Sequence, residues 1–158
     1  YAGDGEAMAA DYFERLGARA LQRRPDIVGH FDLVKYFNAA DALYNRHSPR
    51  VRRAQLAALE KVRQSGALLE INTGGMARGY VDEPYPSRDL LRAWREMGGG
   101  VILGSDCHDA ALMDYGFDAA LSWLCEDGFD GVYELGGAGE EMFVKRPLEV
   151  GGIPTRVC

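Results

Sequence analysis

No stretch of this sequence approaches the roughly 18–20 consecutive apolar residues that a membrane-spanning helix needs. The first ten residues carry acids and no basic side chain, so no secretory leader is legible there. An initiator Met is also missing, and the opening reads as mid-domain sequence, which sets the expectation of a fragment. Cysteine is scarce: Cys107, Cys125 and Cys158 are odd in number and widely spaced, an argument against a disulfide framework and for a reduced, cytoplasmic protein. Internal repeats, low-complexity tracts and interdomain linkers are absent. Positive charge is in deficit, with 18 Lys and Arg against 24 Asp and Glu and a net charge of −6. Nonspecific binding to nucleic acid or anionic membrane needs clustered cations, so both are disfavoured. A small anionic substrate needs only a local set of donors and stays open. The phosphate fingerprints of open α/β sheets are missing too: no GxGxxG follows the first predicted strand, and no Walker A sequence occurs.

What is present suits one globular core, with 158 residues of which 47% are hydrophobic. Apolar positions Met8, Tyr12, Leu16 and Ala20 recur at a helical period over 6–23. Pro25 stops that helix, and 26–31 (DIVGHF) reads as a short strand. Ser48-Pro49 signals the start of a second helix, followed by a strand at 67–72 (ALLEIN). Pro86-Ser87 opens a third helix that ends at Gly98, before a strand at 100–105 (GVILGS). A fourth helix at 117–127 precedes a strand at 131–135, and 142–145 forms a further short extended piece. Strands alternating with helices imply a parallel sheet with crossover helices, closed as a barrel or open. The tail from Gly151 reads as loose chain.

Polar residues cluster where the predicted strands end. His30 and Asp32 close the first, Asn72 and Thr73 the second, and Asp106 and His108 follow the third. In a parallel barrel these ends share one face, and that face carries the chemistry. Asp106 and His108 are separated by one residue and can point into one site. Carboxylate and imidazole suit Zn, Mn or Fe(II), so His30, Asp106 and His108 are candidate metal ligands. Arg78 lies in a glycine-rich loop, 73–80, and is a candidate phosphate clamp. Glu70 lies inside an apolar strand on the face of Asn72; with Asp32 and Asn72 it is expected to support the ligands, with a structural role favoured for Glu70. Cys107 stands between two candidate ligands and is expected to point away from them. His47 reads as a surface residue.

The blocks DIVGHFDLVKYFN, LLEINTGGMARGY, PYPS, VILGSDCH and GFDAAL, in that order over about 1–135, resemble the signature blocks of PHP (polymerase and histidinol phosphatase) metallohydrolases, specifically the histidinol-phosphate phosphatases. The resemblance implies the C-terminal portion (1–150, with a tail at 151–158) of a distorted (β/α)7 TIM-like barrel. It implies up to three divalent metal ions, Zn, Mn or Fe, held in part by His30, Asp106 and His108, with Arg78 on the substrate phosphate. The implied reaction is hydrolysis of L-histidinol phosphate to L-histidinol and phosphate, in histidine biosynthesis. The family's N-terminal HxH motif, its intermediate histidines and its bridging glutamate have no counterpart here. Little activity is therefore expected of the chain alone. Two other readings remain: a PHP-type phosphoesterase acting on nucleotides, and a non-catalytic truncated binding module.

Overall fold

The computed structural model describes residues 1–148. The expected tail at 151–158 lies outside the described residues. Helix α1 (Gly5–Arg23) begins where the Asp4 side chain accepts a hydrogen bond from Ala7 N, and ends at Arg24 in the left-handed region. Helix α2 (Pro49–Ser65) starts with Ser48 as its cap and Pro49 in its first turn, and stops at Gly66 with φ of 86°. Both helices turn an apolar stripe inward: Ala9, Phe13 and Ala20 from α1, and Val51, Ala58, Leu59 and Val62 from α2. Burying a side chain such as Phe13 or Leu59 contributes about 1.5–3 kcal/mol relative to leaving it exposed.

The sheet has the order β1-β2-β3-β4-β5. Strands β1 (Ile27–Val28), β2 (Leu68–Asn72), β3 (Val101–Gly104) and β4 (Gly131–Leu135) run parallel. β5 (Phe143–Pro147) pairs antiparallel with β4. The β2–β3 register matches Leu69 with Val101 and Asn72 with Gly104, so their polar ends finish level. Helices α4 (Arg88–Glu96) and α5 (Phe117–Glu126) supply the remaining crossovers. Leu69, Ile71, Leu90, Trp94 and Val101 are fully buried between the layers. The architecture is α/β, with a sheet curled into a half-barrel.

The first strand is shorter than its apolar run predicts. Pairing stops at Val28, and His30 takes φ of 48°. A left-handed residue cannot continue an extended strand, so the chain turns away and carries His30 off the sheet. The expected loop at 73–80 contains one helical turn, α3 (Gly74–Ala77). Two 3-10 turns at Leu33–Phe37 and Ala39–Asp41 carry no hydrophobic period and were not legible. The last extended piece is a full strand and antiparallel, a direction that apolar patterning alone does not reveal.

Candidate functional site

The tips of β1, β2 and β3 deliver the cluster. After β3, Asp106 adopts φ of 45°, so two of the expected ligands, His30 and Asp106, occupy backbone conformations that non-glycine residues seldom take. Such conformations are often held where a side chain must be aimed at a site. His30 Nε2 lies 3.5 Å from Asp106 Oδ2. His108 Nε2 lies 3.6 Å from the other oxygen, Asp106 Oδ1. One carboxylate thus faces two imidazoles, one on each oxygen. His108 is the outer member, with a side chain 76% exposed.

Glu70 positions His30. Its Oε2 accepts from the His30 backbone N–H at 3.3 Å and lies 3.5 Å from Nδ1. A carboxylate beside Nδ1 favours a proton there, the usual arrangement behind a histidine that would ligate a metal through Nε2. Tyr12 donates to the His30 carbonyl at 3.2 Å, and the Tyr85 ring lies 5.7 Å from the imidazole. Asn72 Nδ2 donates to Glu70 Oε1, while Asn72 Oδ1 accepts from Gly74 N. Glu70 and Asn72 therefore form one support behind His30. Space for Glu70 comes from glycines on both flanking strands. A Cβ on Gly104 would sit 2.2 Å from Glu70 Oε1, and one on Gly29 would sit 2.7 Å from Oε2.

Arg78 reaches the same place. Its guanidinium donates to the Asp106 carbonyl at 2.9 Å and to Asp106 Oδ2 at 2.8 Å. Partial burial pushes the Asp106 carboxyl up, but the Arg78 hydrogen bond and charge, with smaller help from His30 and His108, outweigh it and hold the group below its ordinary range. Gly74 makes the approach of α3 feasible, since a Cβ there would lie 2.5 Å from the Ser105 carbonyl and 2.9 Å from the Arg78 guanidinium. The glycine-rich loop thus serves the seating of Arg78 on Asp106.

Asp32 is apart from this cluster. It is buried and accepts from both Ser87 N at 2.9 Å and Ser87 Oγ at 3.0 Å, with Lys35 Nζ at 3.2 Å. It ties the β1 exit to the start of α4. Its charge also adds to the burial that pushes Tyr44 and Tyr85 each up to about 12. Thr73 Oγ1 is buried beside the β2 tip with no hydrogen-bond partner among the described residues. The Cys107 thiol donates to the Asp109 carbonyl and is exposed. His47 is exposed on its loop. The Tyr85 ring lies 5.7 Å from His30 and has Lys35 Nζ 4.9 Å from its centroid; Tyr85 stands in the PYPS block, where nothing singled it out as a neighbour of the cluster.

The donors fit a divalent cation in kind, namely imidazole nitrogens with a carboxylate between them. The nitrogen–oxygen gaps of 3.5 and 3.6 Å are wide for hydrogen bonds. They are near the edge of a tetrahedron built on metal–ligand bonds of about 2.1 Å, which is about 3.4 Å. In number the donors fall short: among the described residues, no group of three or more His, Cys, Asp or Glu gathers as a cage.

Imidazoles, a carboxylate and a guanidinium gather at the C-terminal end of the parallel strands, the end where α/β barrels place their chemistry. No family model matches the chain. It is 33% identical over 120 residues to a probable histidinol-phosphatase of Deinococcus radiodurans, covering 75% of this chain and 42% of that protein. It is 26% identical over 136 residues to the histidinol-phosphatase of Saccharomyces cerevisiae, covering 73% of this chain and 40% of that protein. A probable histidinol-phosphatase of Schizosaccharomyces pombe is 28% identical over 124 residues, with 78% and 40% covered. The chain is related to the histidinol-phosphatases. It spans about two fifths of the length of these curated relatives.

Proposed function

We propose that this chain is the C-terminal portion of a PHP-type barrel and contributes to a metal-dependent phosphomonoesterase that hydrolyses L-histidinol phosphate. The observation that carries the reading is the convergence of His30, Asp106 and His108, with one imidazole facing each oxygen of a shared carboxylate. His30, Asp106 and His108 would hold divalent cations together with donors from beyond the described residues. When bound, such ions lower the pKa of water, neutralise phosphate charge and favour departure of the alkoxide. The chain's own residues do the positioning. Glu70 keeps the His30 Nε2 lone pair aimed inward, and Arg78 holds Asp106 ionised. The Arg78 guanidinium has N–H groups beyond the two committed to Asp106, and these donate to a nonbridging phosphate oxygen. Free thiols at Cys107 and Cys125 suit a cytoplasmic setting.

The test is phosphate release from histidinol phosphate by the longer protein that contains this chain, with and without chelator. Chelation and His30→Ala are each expected to abolish turnover. Hydrolysis that survives both overturns the reading. The chain alone, with so few donors in the cluster, is expected to release little phosphate.

A further inference from the structure

Beside the cluster, on the side of the Arg78 and Tyr80 loop, lies a groove of about 740 Å³. Its walls include Lys35, Arg46, Tyr80, Asp82, Glu83 and Trp123. The Tyr80 ring links it to the cluster, lying 5.7 Å from the Arg78 guanidinium that grips Asp106. The ionic balance inside it is uneven. Lys35 and Arg46 are both drawn to Glu83, at 3.8 and 3.2 Å, and Arg46 also approaches Asp41 at 3.8 Å. Lys35 is further committed to the buried Asp32. Asp82 is exposed at the rim and has no ion pair or hydrogen bond among the described residues. The groove thus offers the Asp82 carboxylate, the half-exposed ring of Tyr80 with the Arg78 guanidinium at 5.7 Å, and the indole of Trp123 with the Arg88 guanidinium at 5.2 Å, each of which leaves a second ring face for a ligand. A carboxylate between aromatic walls suits an organic cation that is itself flat.

We infer that this groove receives the cationic, heteroaromatic end of the phosphomonoester, with Asp82 as counter-charge and Tyr80 and Trp123 as walls. The inference rests on the proposed histidinol phosphatase reading, since histidinol carries an imidazole at the end far from its phosphate position and an ammonium group on the carbon between them. Phosphate at Arg78 and cation at Asp82 give the site two unlike ends, so a substrate binds in one direction. Asp82 is a specificity residue in this scheme and takes no part in bond breaking.

The probe is histidinol, which has the cation and the ring but no phosphate. Titration into the chain is followed by tryptophan emission. Trp94 is fully buried in the core, so the response belongs to Trp123. Saturable binding is expected, weakened about tenfold in Asp82→Asn and largely kept in Asp82→Glu. Asp82 is exposed, and both variants are expected to melt as the wild type does. Absence of binding, or equal affinity in wild type and Asp82→Asn, overturns the inference. Turnover in the longer protein separates the two proposals. There Asp82→Asn is expected to lower the preference for histidinol phosphate over a phosphomonoester without a cationic group about tenfold. Hydrolysis with an unmoved preference defeats the groove assignment alone. Histidinol binding through Asp82 without hydrolysis defeats the phosphatase reading alone.

Discussion

At the scale of single residues, the site depends on one carboxylate reading another through a histidine. Glu70 fixes the His30 ring, and the His30 ring faces Asp106. Removing the negative charge of Glu70 leaves the ring present but less firmly aimed. Glu70→Gln is therefore expected to weaken divalent-cation affinity roughly 10–100-fold with the fold intact, as measured by calorimetry beside a thermal melt. Gly104→Ala drives a methyl group into Glu70 Oε1 at 2.2 Å. The carboxylate must move or the strands must part, so a loss of about 1–3 kcal/mol is expected in denaturant unfolding. These residues differ in how legible they were. His30, Asp106, His108 and Arg78 announce themselves by type and by position after apolar runs. Gly29 and Gly104 do not, because nothing in a sequence says that a glycine on one strand makes room for an acid on the next. Asp32 shows the opposite difficulty. It stands two residues from His30 and looks like a partner, yet its Oδ2 is committed to Ser87 and Lys35, and its buried Oδ1 has no hydrogen-bond partner among the described residues.

At the scale of elements, the helices were readable because caps and periods agree. Ser48 and Pro49 mark a start, and Pro25 and Gly66 mark ends. The joint between α4 and α5 was not readable, since it joins charges far apart in the chain. Arg88 donates to Asp127 at 2.9 Å through both Nε and Nη2, and Arg92 adds a third bond at 3.0 Å. The Asp127 side chain is only 6% exposed. The Arg88 hydrogen bonds, opposed by burial and reinforced by Arg92, hold its carboxyl below the ordinary range. A carboxyl depressed in the folded state stabilises above its unfolded pKa of about 3.9. That contribution is lost as pH falls through the folded value. Asp127→Asn is expected to cost about 1–3 kcal/mol near neutral pH, and the deficit should shrink on acidification, in urea melts compared across pH.

At the scale of the whole molecule, the sheet has two edges among the described residues, β1 on one side and β5 on the other. The antiparallel β5 pairs with β4, and β1 pairs with β2. In the segment that follows β1, Phe37 is 66% exposed and Leu43 52%, with Leu33 and Tyr36 also exposed. Free strand groups beside exposed apolar side chains favour pairing with another chain. Sedimentation of the chain is expected to show association that increases with concentration. A monomer across the accessible range would remove this expectation. Alternating helices and strands made the α/β class legible; the antiparallel pairing of β4 with β5 was hidden because pairing direction leaves no mark in composition.

The central claim is that the β1 and β3 tips form a common cation pocket. A zinc titration of the chain, followed through the ring resonances of its three histidines, tests it most directly. His30 and His108 are expected to shift together with one shared midpoint, and both responses should vanish in Asp106→Asn, while His47 stays in place. Independent midpoints for His30 and His108, or a response led by His47, would contradict it.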